Sequence, residues 1–338
     1  MIHLIPHDGI GGVESAARTL NFINKKNLHF FVKYIYKPKD KKINYHLYSP
    51  FPIIYAAFQC VKNPPDFLIA SLWRSCIVAL IVKIFRWNTK VILFLHMASD
   101  AHFIDKILTR LTAKISYEIW GDSSRTLEFR QVGFQSKQTE VISFITKHEK
   151  PVNRDRPSLN FIFWGRIHRR KRLDKAIDLI NQLYLKGLRP TFSIVGPDEG
   201  ELKTLKVLVA KYSLDSIVQF HDPKDFIEIR ELAADYSFFL QLSEDEGMGM
   251  SVVEAMQLGL VPIVTAVGEI SNYCAHMKNA IIFDDQTQNK IPPLVCELIN
   301  DYNLYSKIRL SAISTWYKGI SYRESMLQAL DRISGDSY

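Results

Sequence analysis

The chain has 338 residues, of which 47% are hydrophobic and 23% charged; this composition is typical of soluble globular proteins, and the length allows two domains. Its four cysteines lie far apart and form no C-x-x-C pair, which argues against a zinc site or a disulfide framework and favours the cytosol. The first residues, MIHLIPHDGIGG, lack the basic and apolar regions of a signal peptide, and the apolar run Cys76–Val82 is far short of a membrane span.

The net charge of +8 is unevenly divided along the chain. Residues 1–150 carry a net charge of +10, whereas residues 151–338 carry −2. A basic half beside a nearly neutral half predicts an anionic partner for the first half alone, either a membrane surface or nucleic acid. No nucleic-acid-binding motif accompanies the charge, so we expect a membrane surface.

A strand, a glycine-rich loop and a helix are predicted for the first twenty residues. The loop contains Gly9, Gly11 and Gly12, but Glu14 stands where a dinucleotide-binding G-x-G-x-x-G motif has its third glycine. No acidic residue closes the next predicted strand, Leu28–Tyr36, so we expect neither NAD nor FAD. A glycine-rich first turn is common in α/β domains and carries little weight alone.

Predicted strands and helices alternate from residue 28 to residue 145, which indicates a parallel sheet with helices on both faces. The predicted strands are Leu28–Tyr36, Tyr45–Tyr48, Phe67–Leu72, Lys90–His96, Ile115–Trp120 and Glu140–Phe144. The predicted helices are Ile53–Val61, Trp73–Arg86, Phe103–Lys114 and Ser124–Val132. Ligands of such sheets bind beyond the carboxyl ends of the strands. That edge collects His7, Asp8, Trp73, Arg74, His96, Asp122 and Ser123.

Two predicted helices of the basic half have features of membrane-surface helices. Lys106, Arg110 and Lys114 lie at i, i+4 and i+8 and form one basic stripe. Helix Trp73–Arg86 is apolar, with aromatic and basic residues near its ends. Either helix alone is better explained by an ordinary solvated or core helix, and only the net charge of +10 favours surface attachment.

Residues 146–158 are polar, contain two prolines and show no periodicity. This composition predicts a linker, so we expect one domain over residues 1–150 and a second over residues 151–318. Two cations, Arg166 and Lys171, follow the first predicted strand of the second domain. Arginine offers a fork of donors and lysine a point charge, which together suit a diphosphate. Three further cations are interpreted as solvated surface charge: Arg169, Arg170 and Arg172.

The stretch Ser237–Thr265 predicts a strand, a glycine loop, a helix and a second strand. The helix would point its free N–H groups at a ligand over Gly247–Met250, an arrangement that suits phosphate. Glu246 in the loop and Glu254 on the helix are eight positions apart, so both carboxylates can accept hydrogen bonds from sugar hydroxyls in one crevice. The alternative is a surface helix with acids near its positive end, worth only ~0.3–1 kcal/mol.

The segment EGMGMSVVEAMQLGLVPIV resembles the E-x7-E signature of retaining glycosyltransferases of family 4, which have the GT-B fold. Gly165-Arg166 and Lys171 resemble the family's G-R-L-x-x-x-K-G, with Arg172 in place of its glycine, and GGVE resembles its first glycine loop. The resemblance covers the second half almost completely and the first half in outline. It implies an α/β protein of two doubly wound Rossmann-like domains that face a central cleft.

The resemblance also implies roles for single residues. Arg166 and Lys171 would take up the charge of the leaving diphosphate, Glu246 would hold the donor sugar's hydroxyls, and Glu254 would hold the ribose diol. His96 matches a histidine near the transferred sugar, although a histidine at a strand end is as often structural. The further donor-binding positions are Gly11, Gly12, Gly165, Gly196, His221, Asp222, Gly247, Met248, Gly249 and Met250.

No covalent nucleophile, metal or other cofactor is implied by the resemblance, and no D-x-D stands where a metal-binding loop would be expected. The chain departs from the family pattern at Glu269, which replaces a glycine, and at Asn272, which replaces an acid. The role of that acid is therefore open in this chain. The last segment, about residues 319–338, resembles the helix that packs back on the first domain.

The implied reaction transfers a sugar, with retention, from a UDP- or GDP-linked donor to a hydroxyl of a glycan or glycolipid acceptor. The first domain would bind the acceptor and the second the donor. We expect a cytoplasmic enzyme, peripheral on the inner face of the cell membrane and without a nucleic-acid partner, that builds bacterial O-antigen, capsule or another surface polysaccharide. Two alternatives stay open: a nucleotide-sugar epimerase that uses His7, Asp8 and His96, and a non-catalytic nucleotide-sugar-binding protein.

Overall fold

The computed structural model describes residues 1–8, 12–20, 22–25, 28–36, 49–97, 99–130, 137–152, 156–317 and 319–335. The chain separates into two compact units. One unit comprises Met1–Lys147 together with Ile320–Tyr338, and the other comprises His148–Gly319. The predicted strand Tyr45–Tyr48 lies outside the described residues.

Strands and α-helices alternate along most of the described chain. Its strands are β1 (Ile2–His7), β2 (Phe22–Lys25), β3 (Leu28–Tyr36), β4 (Phe67–Ser71), β5 (Lys90–Leu95), β6 (Glu118–Gly121), β7 (Gln138–Val141), β8 (Asn160–Trp164), β9 (Thr191–Val195), β10 (Val218–His221), β11 (Phe238–Gln241), β12 (Val261–Thr265) and β13 (Ile281–Phe283). Its α-helices are α1 (Gly12–Arg18), α2 (Phe51–Lys62), α3 (Leu72–Phe85), α4 (Phe103–Ile115), α5 (Ser124–Arg130), α6 (Leu173–Leu185), α7 (Leu202–Lys211), α8 (Phe226–Ala233), α9 (Met250–Leu258), α10 (Ile270–Tyr273), α11 (Ile291–Asn300), α12 (Tyr302–Trp316) and α13 (Tyr322–Ser334).

The sheet of the first unit has the strand order β2-β3-β1-β4-β5-β6-β7. Its strands pair in parallel except for β2, which pairs antiparallel with β3. The sequence patterns do not predict β2. Only two residues separate it from β3, which suffices for a hairpin but not for the crossover that a parallel pair needs.

Two predicted strands of the first unit differ from the structure. Helix α4 continues to Ile115 and β6 begins only at Glu118, so the predicted strand Ile115–Trp120 is wrong at its start. Ile115 packs against the core from the end of the helix, which gives the sequence the same apolar character as a strand. The strand predicted over Glu140–Phe144 is Gln138–Val141, and Phe144 is buried beyond its end.

The sheet of the second unit has the order β10-β9-β8-β11-β12-β13, and all its strands pair in parallel. Aromatic rings from neighbouring strands fill its core; Phe161 stacks on Phe238 with the ring centroids 5.1 Å apart. Because β8 and β11 are neighbours and parallel, their carboxyl ends lie at the same sheet edge. This edge carries the loops that contain Gly165 to Lys171 and Glu246.

The last helix, α13, belongs to the first unit. Ser321 and Glu324 form a capping box at its start, and the buried Tyr322 donates its backbone N–H to the carbonyl of Ile145 at 2.7 Å. Near the other end, Arg332 donates to Glu118 Oε1 at 2.8 Å. None of the helices in the described ranges has the combined length and hydropathy that crossing a bilayer requires.

Candidate active site

Two glycines bring the ends of β8 and β9 into close contact. Gly165 has φ +146° and Gly196 has φ +151°, and the N–H of Gly165 donates to the carbonyl of Val195 at 3.0 Å. A Cβ at Gly196 would lie 1.8 Å from the carbonyl oxygen of Gly165. Glycine is therefore required at Gly196 because a Cβ would collide with the backbone of Gly165, and it is favoured at Gly165 by the positive φ.

An ion pair joins the loops that follow β8 and β11. Lys171 Nζ contacts Glu246 Oε1 at 2.5 Å, and both side chains are mostly buried, with 15% and 11% exposed. The same carboxylate oxygen accepts from Gln241 Nε2 at 3.0 Å and from Ser243 Oγ at 2.6 Å. Three donors on one oxygen fix the direction of the Glu246 side chain, so this predicted pair forms a preorganised charged centre.

Three members of this network escaped the sequence analysis. Gln241 is the last residue of β11 and is fully buried, and Ser251 donates its hydroxyl to Gln241 Oε1 at 2.7 Å. A buried glutamine at the end of an otherwise apolar strand needs polar partners, which was the available signal. Ser243, the other donor to Glu246, lies between the end of β11 and the glycine loop.

Arg166 does not join the ion pair. Its guanidinium is 59% exposed and contacts Glu199 Oε2 at 3.0 Å, beyond the end of β9. The structure therefore brings Lys171 and Glu246 together, while Arg166 lies at the same sheet edge with a different carboxylate. A surface pair of this kind is weak, so the arginine can exchange Glu199 for an anionic ligand.

The glycine loop before α9 packs against α10 and against the turn that precedes α10. A Cβ at Gly268 would lie 1.9 Å from the carbonyl oxygen of Glu246, and Glu269 donates its backbone N–H to Gly247 at 3.0 Å. Tyr273 donates its hydroxyl to the carbonyl of Met248 at 2.9 Å. These contacts explain why Gly268 is retained where Glu269 and Asn272 depart from the family pattern.

The loop ends at Gly249, which has φ +70° and precedes the first helical residue, Met250. The first N–H groups of a helix have no partner within it and carry its positive dipole end, so they can bind an anion. Glu246 precedes this helix start and Glu254 lies one turn beyond it. The helix start thus places anion-binding N–H groups between two carboxylates.

Glu254 accepts a hydrogen bond from an unforeseen partner, the indole Nε1 of Trp164, at 2.8 Å. Burial raises the pKa of Glu254 to about 7, and the indole hydrogen bond only partly offsets this increase. A carboxyl with this pKa is substantially protonated at neutral pH, unlike a surface glutamate. Trp164 ends β8 directly before Gly165, and its position beside the glycine turn was the signal that sequence reasoning missed.

His221 is the last residue of β10 and Asp222 follows it, at the same edge. The backbone carbonyl of His221 accepts from the N–H of Gly196 at 3.2 Å, and its ring Nε2 lies 3.1 Å from Ser193 Oγ. Asp222 is exposed. The predicted pair is therefore adjacent to the two-glycine turn, with the histidine ring anchored to the sheet.

Arg172 is not the solvated charge that the sequence analysis assigned. Its backbone is left-handed, with φ 47° and ψ 45°, and its side chain is only 22% exposed and contacts Asp285 at 2.6 Å. Arg169, in contrast, is exposed, and Arg170 approaches Asp245 at 3.9 Å. A left-handed backbone explains why the family has glycine at this position.

In the first unit, His96 is buried beyond the end of β5. Its Nε2 lies 2.8 Å from Ser71 Oγ, which also lies 2.7 Å from His3 Nε2. Burial lowers the pKa of both histidines, that of His3 to about 3, so both rings are neutral. His96 thus belongs to a buried polar chain at the ligand-binding edge of this sheet.

The remaining candidates of the first unit are spread along that edge. Asp8 pairs with Arg18 at 2.5 Å, and the guanidinium of Arg74 lies 4.4 Å from the ring centre of Trp73. Gly12 opens α1, and Gly11 lies outside the described residues. Within the described ranges, no group of three His, Cys, Asp or Glu side chains could hold a metal ion.

Comparison with known proteins identifies the family. Residues 144–314, just over half of the chain, match the model described as Glycosyl transferases group 1. HepE from Anabaena, solved in complex with UDP-glucose, is similar with a TM-score of 0.78 at 16% identity, over 99% of each chain. WaaB, a lipopolysaccharide outer core galactosyltransferase solved in its apo form, gives a TM-score of 0.71 at 15% identity, over 98% of this chain and 100% of its own.

TarM from S. aureus, solved with fondaparinux, α-GlcNAc-glycerol and UDP, has a TM-score of 0.70 at 15% identity. It matches 83% of this chain, which spans only 58% of the TarM length. No curated protein sequence matches the chain. The solved structures show that the protein has the GT-B fold of two Rossmann-like domains, and the family model shows that the chain belongs to the group 1 glycosyl transferases.

Proposed function

We propose that the protein is a retaining glycosyltransferase of family 4, which moves a sugar from a nucleotide-diphosphate sugar to a hydroxyl of an acceptor. The observation that carries this proposal is the Lys171–Glu246 pair at 2.5 Å beside the start of α9. It combines a cation for a diphosphate, a carboxylate for sugar hydroxyls and helix N–H groups for phosphate. Simple binding of a nucleotide would not require this combination.

We assign to Lys171 and Glu246 an exchange of ionic partners when the donor binds. Without donor, Lys171 and Glu246 neutralise each other; with donor, the diphosphate takes the lysine and the carboxylate turns to the sugar. As the bond to the sugar breaks, negative charge grows on the diphosphate, and Lys171, Arg166 and the N–H groups of Gly247–Met250 stabilise it. The proposal adds no metal or other cofactor, because these donors carry the charge.

The nucleotide is assigned to the remaining residues of the same edge. Glu254 accepts from the ribose diol, and the backbone around His221 and Asp222 holds the base. A uridine nucleotide is favoured over a guanosine nucleotide because HepE was solved with UDP-glucose and TarM with UDP. His96 remains the first-domain candidate for contact with the transferred sugar, either directly or by holding the end of β5.

The acceptor is assigned to the first domain, residues 1–150, and the donor to residues 151–318. We propose a glycan or glycolipid acceptor of the kind from which bacterial surface polysaccharides are built, which agrees with the lipopolysaccharide substrate in the name of WaaB. The net charge of +10 on residues 1–150 supports peripheral attachment to the anionic inner face of the cell membrane. No nucleic-acid partner is proposed.

A donor screen tests the proposal. The purified protein is incubated with a panel of UDP- and GDP-sugars, and release of the nucleoside diphosphate is measured with and without simple glycoside acceptors. We expect slow hydrolysis of one donor and, with an acceptor, a product whose anomeric proton coupling matches that of the donor. A product of opposite configuration would refute retention, and binding of every donor without turnover would favour a non-catalytic binding protein.

A further inference from the structure

Helix α4 packs its less hydrophobic side on the first domain. Its buried residues are Asp105, Thr109, Thr112 and Ala113, with Leu108 partly buried against the core. Its outward side chains are Phe103, Ile104, Ile107 and Leu111, which are 75%, 55%, 40% and 44% exposed. This orientation is opposite to that of an ordinary surface helix, whose apolar stripe faces the core.

A basic edge adjoins the exposed apolar side chains. At about 100° per residue, the four apolar positions occupy an arc of about 100°, and the predicted stripe of Lys106, Arg110 and Lys114 borders this arc and overlaps its edge at Lys114. Arg110 and Lys114 are exposed and Lys106 is partly exposed. The helix has one acidic residue, Asp105, which faces inward and lies 3.3 Å from Arg130. The outward side of α4 is therefore apolar and cationic without an opposing charge.

Helix α2 repeats the apolar part of this pattern. Its exposed residues Phe51, Ile54, Tyr55 and Phe58 recur at helical spacing, while Ile53, Ala57 and Cys60 face the core. Helix α3 packs against both α2 and α4 and ends beside three more exposed apolar residues: Ile84, Phe85 and Trp87. Helices α6 and α7 of the second unit instead each have a single exposed large apolar side chain, Leu185 and Val207.

We propose that the outward sides of α4 and α2 form a membrane-insertion surface for an anionic lipid bilayer. Large apolar and aromatic side chains beside lysine and arginine are the composition of helices that lie in the headgroup region of a bilayer. The apolar side chains would enter the acyl boundary while the basic edge meets anionic headgroups. A soluble protein partner would not require this continuous cationic edge, and monomers seldom expose so large an apolar surface without function.

This surface deepens the membrane partner of the proposed function, and it makes a distinct prediction about salt. Binding by charge alone disappears at high ionic strength, whereas inserted apolar side chains leave a component that salt does not remove. Vesicle binding is measured without donor or acceptor. If the protein does not bind vesicles, this surface is rejected and the proposed transfer reaction is unaffected. If the protein binds vesicles but transfers no sugar, the proposed reaction is rejected and the surface is retained.

The experiment is flotation of the full-length protein with phosphatidylcholine vesicles containing about one third phosphatidylglycerol, at low and at high salt. The apolar variant combines Phe103→Ser with Ile107→Ser, and the basic variant combines Lys106→Glu, Arg110→Glu and Lys114→Glu. The matched control combines Leu185→Ser with Val207→Ser, which removes comparably exposed apolar residues from the second unit. Thermal melting and donor hydrolysis, which should be unchanged, verify that each variant is folded.

We expect the wild type and the control to bind equally and to retain part of that binding at high salt. The apolar variant should lose at least 10-fold in vesicle affinity, mainly from the salt-resistant part, and should keep the share contributed by α2. The basic variant should lose its preference for anionic over neutral vesicles. The proposal is overturned if the apolar variant binds like the control, or if it alters only self-association in sedimentation, which would make the surface a contact between protein copies.

Discussion

The two units differ in where they expose reactive and apolar groups. The second unit buries its apolar residues in one core and gathers Lys171, Glu246 and Glu254 at one sheet edge. The first unit keeps the buried, neutral His96 at the corresponding edge and exposes apolar side chains along two helices. A nucleotide diphosphate has constant chemistry that a short constellation can recognise. The surface proposed here for a membrane is broad, and no short motif encodes such a surface.

The largest effect is expected when the cations of the second unit are removed, because this difference between the units assigns the reaction to them. Lys171→Ala and Arg166→Ala should each lower kcat by roughly 10²–10³, the scale for removing one preorganised donor from a developing anion. Because Arg166 is exposed and Glu246 keeps two other donors, thermal melting without donor should hardly change. Steady-state transfer rates and thermal melting measure both effects.

Arg169→Ala is the matched control, since Arg169 is exposed and lies in the same loop. Its turnover should stay within about twofold of the wild type. If Arg169→Ala were as damaging as Lys171→Ala, general positive charge and not the observed ion pair would carry the reaction.

A second comparison separates the two carboxylates. Glu254→Gln should weaken binding of bare nucleoside diphosphate and raise KM, because the contact proposed for Glu254 is with the ribose. Glu246→Gln should lower kcat and leave diphosphate affinity intact or improved, since Lys171 loses its competing partner. Calorimetric titration with the diphosphate, beside steady-state kinetics, distinguishes the two. Equal losses of diphosphate affinity in both variants would refute the assignment.

The third prediction concerns pH. Because burial raises the pKa of Glu254 to about 7, the carboxylate proposed to accept the ribose diol is protonated as pH falls below 7. The diphosphate affinity of the wild type should therefore fall ~10-fold between pH 7.5 and pH 6 because of Glu254. Glu254→Gln lacks this titrating group, so its affinity should change only through titration of the ligand phosphate, and that smaller change is subtracted. Trp164→Phe removes the hydrogen bond that favours the carboxylate, so the midpoint should shift to higher pH. Trp316→Phe, which removes a contact to Met256, is the control.

The same group affects stability in a defined direction. The pKa of Glu254 is higher in the folded protein than its ordinary value of 4.5, so the folded state binds the proton more tightly. Its contribution to the free energy of unfolding is complete below pH 4.5 and is lost as pH rises to about 7. Relative to wild type, Glu254→Gln should gain melting temperature between pH 5 and pH 8. A constant difference across this range would show that the carboxyl is not buried in solution.

The smallest effect is expected at Arg172. Its left-handed backbone favours glycine over alanine by about 1 kcal/mol, while the lost contact with Asp285 costs both variants the same ~0.2–1 kcal/mol. Arg172→Gly should therefore be about 1 kcal/mol more stable than Arg172→Ala in denaturant unfolding. Equal stability of the two variants would mean that the backbone relaxes away from this conformation.

Much of the second unit could be predicted from sequence because its signals are local. Strand β8, the turn at Gly165 and helix α9 follow from apolar runs interrupted by glycine, and the spacing of Glu246 and Glu254 follows from one loop and one helix. Trp164 was missed because its partner, Glu254, is distant in sequence, whereas Gln241 was missed although its partners are local, because the apolar run of β11 dominates the pattern. The left-handed backbone at Arg172 was missed because its stabilising contact, Asp285, is distant in sequence.

The first unit was less predictable for a different reason. The apolar spacing of α4 indicates a helix with an apolar stripe, but not which way that stripe points. Its orientation depends on Asp105 and its buried contact with Arg130, which sequence spacing does not reveal. In β2, a strand of four residues was too short to give a recognisable alternation.

The position of α13 has a consequence for how the chain is made. The second unit is one continuous segment, His148–Gly319, whereas the first unit needs Ile320–Tyr338 to complete it. Tyr322, Met326 and Leu330 of α13 are buried, and Arg332 contacts Glu118. Because synthesis proceeds from the N-terminus, the first unit is the first to be synthesised in part, but all of its residues are present only after the second unit has been synthesised. We therefore expect the nascent chain to hold an incomplete first unit until Ile320–Tyr338 has been synthesised, with the second unit already folded.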